Sequence, residues 1–224
     1  MSATLADLWI YPVKSMQGLR LARAQVELRG LQGDRLFAVR DAEGKFGSGK
    51  TTRRFTRMDG LLAWATDDAE GALRLRSPDG LWFALDDPAC AALLSAHVGR
   101  SVTLAREAAI SHFDDSPLHL ITTGDLAFAR AQGATPDPGS FRANLLLETP
   151  LTSAQLAPRL RLGGAEIEIA GPTERCLMVD LAPDGAPGPQ TLRVLAHVAN
   201  ACFGCYARVV APGALAVGDR VETA

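Results

Sequence analysis

Gly44-Lys45-Phe46-Gly47-Ser48-Gly49-Lys50-Thr51 is the stretch on which the fold class turns. It matches the pattern G-x-x-x-x-G-K-[ST] letter for letter. In that motif backbone N–H groups surround phosphates, the lysine reaches the terminal phosphates and the hydroxyl meets Mg²⁺. A working loop of this kind needs a buried strand directly before the first glycine and a helix directly after Lys-Thr. The flanks do not supply them. Asp41-Ala42-Glu43 form a polar turn ahead of Gly44, and Thr52-Arg53-Arg54-Phe55-Thr56-Arg57 carries charge and β-branching where an amphipathic helix should begin. No apolar strand ending in aspartate offers a Mg²⁺ partner either. The stretch therefore reads as a glycine-rich hairpin loop in a β-rich chain, ahead of a nucleotide triphosphatase site.

The surrounding sequence fits that reading. Glycine and proline punctuate short apolar runs, as in β-rich folds. Strands are expected at Thr4–Ile10, Arg23–Leu28, Arg35–Arg40, Leu61–Thr66, Leu73–Arg76 and Leu81–Leu85, with turns at Asp41–Gly44 and Ser77–Gly80. Pro88–Val98 reads as a helix, with Asp87 suited to the N-cap, Pro88 to the first helical position and Gly99 to the stop; Cys90 on it reads as a core residue. In the second half, strands are expected at Leu118–Thr122, Arg142–Leu147, Glu166–Ala170, Arg175–Leu181, Cys205–Val210 and Val217–Val221. A short helix is expected around Asp125–Gln132, loops at Gly133–Ser140 and Ala182–Gln190, and a short helix or strand at Leu192–Val198.

Composition sets the outer bounds. With 224 residues, 47% of them hydrophobic, the chain is long enough for one large or two small packed domains. A formal net charge of −2 argues against a nucleic-acid partner. No apolar run of about 18 residues exists, which argues against a membrane span. The N-terminus lacks the layout of a signal peptide. Four cysteines (Cys90, Cys176, Cys202 and Cys205) are too few for a disulfide scaffold, so a reducing, cytoplasmic compartment is expected.

Two groups of residues carry chemistry. Cys202-Phe203-Gly204-Cys205 has the C-x-x-C form of half a zinc site or of a redox pair, but no second pair accompanies it. It reads first as an incidental pair on a turn, with an accessory redox role behind. The second group is dispersed: Lys14-Ser15, Arg35, Arg53-Arg54, Arg142-Ala143-Asn144 and Arg175-Cys176 each place a cation at a strand end or loop edge. Singly, each is an ordinary surface charge. Arg175-Cys176 differs, because a cation beside a thiol favours the thiolate, the form that acts as nucleophile or soft-metal ligand. A buried structural thiol is the equal alternative. Lysine occurs only at Lys14, Lys45 and Lys50, so arginine, the residue suited to bidentate phosphate contacts, dominates the cations.

Tyr11-Pro12-Val13-Lys14-Ser15 followed by Gly30-Leu31-Gln32-Gly33-Asp34-Arg35 resembles the opening of the MOSC N-terminal β-barrel domain. Phe141-Arg142-Ala143-Asn144, then Arg175-Cys176, then Cys202–Val221 with its V-x-x-P-G-x-x-x-V-G-D-x-V ending resemble the MOSC domain itself, the domain of molybdenum-cofactor sulfurases and amidoxime-reducing components. The resemblance covers nearly the whole chain in order. It implies a mostly β, β-barrel protein with a few short helices, divided into a MOSC N-terminal β-barrel-like domain at 1–105 and a MOSC domain at 106–224.

It also implies a molybdenum cofactor, a molybdopterin whose metal is held by one protein thiolate, the role that falls on Cys176 as catalytic and metal-binding residue. Lys14, Ser15, Arg35, Arg54, Thr122, Thr123, Arg142, Asn144 and Arg175 sit where relatives contact the pterin or its phosphate, and Arg53 shares the basic segment with Arg54. Pyridoxal phosphate binding attaches to the wider family only, with no residue here assigned to it. The implied activity is an oxidoreductase acting on small N-hydroxylated substrates (hydroxylamines, amidoximes or N-hydroxylated bases). The chain ends without an iron–sulfur tail, so electrons are expected from a separate flavin or iron–sulfur reductase; oligomeric state is left open. The alternative of a different class is a non-catalytic carrier of molybdenum cofactor or sulfur.

Overall fold

The computed structural model describes residues 3–69, 72–182 and 190–224. Seven strands close a barrel: β1 (Ala3–Ile10), β2 (Leu118–Thr122), β3 (Leu145–Glu148), β4 (Arg159–Leu162), β5 (Ala165–Glu174), β6 (Cys202–Ala211) and β7 (Arg220–Thr223). Their order around the barrel is β3-β2-β6-β5-β4-β7-β1, and β1 pairs back onto β3 to complete the ring. All neighbours are antiparallel except β2 and β3.

Period-2 alternation explains the closure. Leu160 and Leu162 on β4, Ala165 and Ile167 on β5, Cys205 and Ala207 on β6, and Leu145 and Leu147 on β3 fill one interior with Leu5 and Leu8 of β1. The intervening Glu166 and Glu168 face outward, where Arg159 pairs with both. Each interior leucine truncated to alanine removes about 2–5 kcal/mol of stability. The mostly-β barrel class expected from sequence is thus the observed one.

Residues between β1 and β2 build a second lobe. Its four-stranded sheet runs Val102–Arg106, Phe37–Asp41, Phe46–Ser48, Phe55–Arg57, and a three-stranded sheet runs Trp82–Ala84, Ala72–Arg76, Ala65–Ala69. Helix α1 (Pro88–Val98) packs Cys90 and Leu94 into a core with Val13, Met16, Val39, Trp64 and Leu75. The Asp87 carboxylate accepts from the Ala89 N–H and Gly99 closes the helix in the left-handed conformation. The lobes are laced together, since Gly213–Ala216 pairs with Arg23–Glu27. Helices α2 (Thr123–Ala131) and α3 (Thr191–Val198) cover one side of the barrel, over the stacked rings of Phe141 and Phe203. Among the described residues no helix is long and apolar enough to cross a membrane.

The glycine-rich stretch resolves against the phosphate-loop pattern. Gly44 turns the hairpin with φ 78°, Phe46–Ser48 continues as a strand, and a second strand, Phe55–Arg57, follows Thr51 where a helix would be required. Gly49 has its own purpose: a Cβ there would overlap the sulfur of Met178.

Several expected elements differ. Arg175–Leu181 is not a strand: the β5 ladder ends at the Glu174–Cys202 pair, and Leu177–Asp180 form a 3-10 turn whose Asp180 carboxylate accepts from the Thr191 and Leu192 N–H groups at the start of α3. Leu61–Thr66 divides into a 3-10 turn at Leu61–Ala63, led in by left-handed Gly60, and the strand Ala65–Ala69. Arg142–Asn144 precede β3 rather than opening it, because Arg142 is left-handed. Cys202 and Cys205 lie within β6, not on a turn, with an irregular register and Gly204 at φ 76° between them. Val217 and Gly218 form the turn between Gly213–Ala216 and β7. Of the loop expected at Ala182–Gln190, residues 183–189 lie outside the described residues.

Candidate functional site

A cavity of about 370 Å³ opens between the lobes, and residues far apart in sequence meet in it. Lys14 and Ser15 come from the segment after β1, Arg35 from the turn before Phe37–Asp41, Arg142 and Asn144 from the approach to β3, and Arg175 and Cys176 from the end of β5. Thus seven residues singled out in the sequence share one wall system. Three of them, Ser15 (φ 65°), Arg35 (φ 49°) and Arg142 (φ 54°), hold left-handed backbones, out of five non-glycine residues that do so among those described. Such conformations cost about 1–3 kcal/mol each and persist where surrounding bonds impose them.

Those bonds converge on Asp34 and Asn144, both fully buried. Asp34 accepts from the Tyr11 N–H at 2.7 Å, from Asn144 Nδ2 at 3.1 Å and from Arg35 Nη1. Arg35 Nη2 donates to the Arg142 carbonyl at 3.2 Å, and Asn144 Oδ1 accepts from the His119 N–H at 3.1 Å. Lys14 Nζ donates to Asp114 Oδ1 at 2.7 Å and to the His112 carbonyl at 2.8 Å. Burial pushes the Lys14 pKa down, with Asp114 opposing; burial also acts against the Asp114 carboxylate, but Lys14 holds its pKa below the usual range. His112, wholly buried, works from behind the wall. Its Nδ1 lies 3.1 Å from the Arg35 carbonyl and its Nε2 3.3 Å from Arg40 Nη2. A carbonyl takes only a donor and a guanidinium gives only one, so the ring is neutral with its proton on Nδ1.

Charge pairing is uneven. Arg35 has Asp34 and Lys14 has Asp114, but among the described residues neither Arg142 nor Arg175 has a carboxylate within ion-pair distance. Arg142 instead donates to the Met16 carbonyl at 2.5 Å and stacks 4.3 Å from the centre of the Tyr11 ring. Arg175 donates to the Phe141 carbonyl at 2.7 Å, and its Nε is buried without a partner. Burial pushes the Arg142 pKa down to about 10, with the neighbouring Tyr11 and Arg35 contributing in opposite senses, and burial lowers that of Arg175. His119 lies 3.5 Å from Arg175 Nη1; burial first, then the Arg175 charge, hold it neutral with a pKa well below the ordinary value.

Half-buried cations left without counter-charge are costly unless an anion completes them. Together with the orphaned Arg175 Nε and the neighbouring thiol of Cys176, the donor set fits a phosphorylated, sulfur-seeking metal cofactor: guanidinium forks for phosphate oxygens, and one soft ligand for a thiophilic metal.

The other expected residues lie elsewhere. Thr122 caps α2, its hydroxyl accepting from the Asp125 N–H and donating to the Leu151 carbonyl, and Thr123 Oγ donates to the Thr149 carbonyl. Arg54 grips the Ser111 and Asp114 carbonyls and so anchors the segment that presents Asp114 to Lys14, while Arg53 is exposed. His119, Asp114 and Tyr206 line the cavity without having been singled out, and Lys50, named only for the discounted phosphate loop, lines it too. For His119 a signal existed: a histidine in the middle of Leu118–Thr122, a strand buried on both faces, needs a polar reason.

Tyr11 and Tyr206 are the only tyrosines in the chain. Burial pushes both phenols up to about 12. The folded protein then holds those protons where the unfolded chain, titrating near about pH 10, has lost them. Their contribution to stability is intact below about pH 10 and is lost as the pH rises through about 12. An ultraviolet phenolate titration of the native protein should show almost no ionisation at pH 11, and an ordinary midpoint once denatured. A native midpoint near 10 would contradict the packing around both rings.

A family model of the MOSC domain matches residues 101–222, and one of the MOSC N-terminal beta barrel domain matches residues 2–115. No curated protein matches the chain. Among solved structures, the YUAD protein from Bacillus subtilis is similar with a TM-score of 0.54 at 14% identity, over 99% of this chain and 94% of that one. YiiM from Escherichia coli aligns over 100% of this chain and 70% of its own, with a TM-score of 0.46 at 13% identity. The first of these likenesses is one of fold.

Proposed function

The chain belongs to the MOSC family, and from that premise we propose that it binds a molybdenum cofactor in the cationic cavity and reduces N-hydroxylated compounds with electrons from a separate reductase. The observation that carries the reading is the pair of half-buried arginines, Arg142 and Arg175, without a carboxylate among the described residues and placed beside the half-buried thiol of Cys176. An anion completes the first feature and a thiophilic metal the second.

The residues divide the work by their chemistry. Arg142, Arg175 and Arg35 hold phosphate oxygens, with Lys14 as a point charge and Ser15, whose hydroxyl donates to the Gly47 carbonyl, fixing the loop beneath them. Cys176 supplies the metal's protein ligand at the head of the 3-10 turn. When bound, the cofactor supplies two-electron redox chemistry at which the oxygen of an N–OH group leaves as water. His119, held neutral, adds no competing charge and braces Arg175. Phe141, fully buried and stacked on Phe203 with centroids 4.0 Å apart, excludes water from the cavity floor.

The test uses protein produced in a host that makes the cofactor. Metal and pterin analysis should find about one molybdenum and one pterin per chain. A chemical electron donor should then drive the reduction of hydroxylamine and benzamidoxime. Molybdenum without turnover on a broad panel of N-hydroxylated compounds would make the protein a carrier. Neither molybdenum nor pterin would overturn the reading.

A further inference from the structure

A second cavity, of about 320 Å³, backs onto the first and has the opposite character. Trp9, Tyr11, Leu62, Arg142, Met178 and Leu181 line it, and Arg142 and Met178 also line the cationic cavity. The partition between the two is the segment Cys176–Leu181. The segment presents Cys176 to the cationic side and Val179 and Leu181 to the apolar side, with Met178 in both walls.

The partition is a built feature. The Val179 N–H donates to the Cys176 carbonyl at 3.2 Å, and Met178 sits where Gly49 leaves room for its sulfur. The opposite wall is equally fixed. Tyr11 donates from its hydroxyl to the Ala143 carbonyl at 3.2 Å, its ring lies so close to Gly18 that a Cβ there would stand 2.6 Å from Cε1, and Arg142 stacks on it.

The geometry points to this cavity as the seat of the substrate's body: a flat, uncharged aromatic group held between Trp9 and the Leu62–Leu181 side, with its nitrogen–oxygen group directed past Met178 toward Cys176. This rests on the reading of Cys176 as the reactive end of the cationic cavity. The chemistry of the walls selects the class. They are mostly rings and hydrocarbon, with Gln17, Asp137, Ser140 and Arg142 as the polar side chains, the usual make-up of small-molecule sites. Its one cationic lining residue, Arg142, is shared with the cationic cavity, where an anion would take its charge, and its one carboxylate, Asp137, disfavours a second anion here. The volume equals about ten waters of liquid, which suits a ligand of roughly ten heavy atoms. A phosphate or a carboxylate would gain more in the cationic cavity. An apolar ring gains more here than in the cationic cavity.

The experiment separates this proposal from the function it rests on. Benzamide carries the aromatic body without an N–OH group, so its binding needs neither metal nor turnover. Titrated into the full chain, benzamide should quench tryptophan emission saturably, and Trp9→Phe should remove that signal. Leu181→Phe and Leu62→Phe fill the cavity from two walls, and each should weaken benzamide binding about tenfold. In the molybdenum-loaded enzyme each should raise KM for benzamidoxime about tenfold relative to that for hydroxylamine. No saturable binding of benzamide, or equal binding by both filled variants with unchanged melting temperatures, overturns the proposal. If no N-hydroxylated compound is turned over, the proposed activity fails while the benzamide titration still decides the cavity.

Discussion

Cys176→Ser is expected to abolish turnover and to lower bound molybdenum, while pterin and protein fold are largely retained. A serine hydroxyl occupies nearly the same space but is a hard oxygen that stays protonated at neutral pH, whereas a soft metal is selected by thiolate. Loss of the metal bond leaves the cationic wall intact, since Lys14, Arg35, Arg142 and Arg175 take their positions from Asp114, Asp34 and backbone carbonyls and not from Cys176. The variant therefore distinguishes metal from phosphate binding within one cavity. Metal analysis, pterin fluorescence and thermal melting are the measurements. Unchanged molybdenum in the serine variant would remove Cys176 from the metal. Parallel loss of fold would show the thiol to be a packing residue.

Arg142→Met combined with Arg175→Met gives the opposite signs in two measurements. The side chains keep their length and lose charge, so the empty protein gains stability, by about 1–2 kcal/mol, because two half-buried cations without carboxylate partners no longer oppose folding. The same change lowers affinity for inorganic pyrophosphate by about a hundredfold, as two charge-assisted contacts disappear. The pH dependence follows from the lowered Arg142 pKa. Between about pH 10 and the ordinary arginine value the unfolded chain binds the proton that the folded chain has released, so the stability deficit of the wild type shrinks as pH rises through that window. Below it the deficit is constant. A double variant less stable than wild type at neutral pH would mean that these arginines are already compensated in the empty protein.

Much of this was readable residue by residue. Asp87-Pro88 and Gly99 fixed both ends of α1 because caps act locally. Leu118–Thr122 is legible as a strand because Leu118, Leu120 and Ile121 make a short apolar run interrupted only by His119. The cations were identifiable as a set through the family resemblance, and what a sequence alone hides is their convergence, which depends on the barrel closing across more than a hundred residues. The misread segments share a cause. Cys176–Leu181 is apolar enough for a strand, yet no partner strand continues past Cys202, so the backbone turns and satisfies itself locally. Cys202–Cys205 reads from sequence as an incidental pair on a turn, whereas Gly204 absorbs an irregularity inside β6 where a Cβ would stand 2.7 Å from His119 Nε2. The resemblance implies a cofactor role for Thr122 and Thr123, but Thr122-x-x-Asp125 is a capping box that uses the Thr122 hydroxyl, and the Thr123 hydroxyl is taken by the Thr149 carbonyl.

The closure of the barrel by β1 also sets a clock on biosynthesis. β1 finds its barrel partners in Leu145–Glu148 and, through the Ala3–Val221 and Thr4–Arg220 pairings, in Arg220–Thr223, far later in the sequence. At ordinary translation speeds the last of these emerges on the order of tens of seconds after the first. Until then Leu5 and Leu8 have no barrel to enter, and the edges of β1 are open to any other strand. Nascent chains should therefore depend on a chaperone holding the N-terminal segment, and acquire protease resistance only after release.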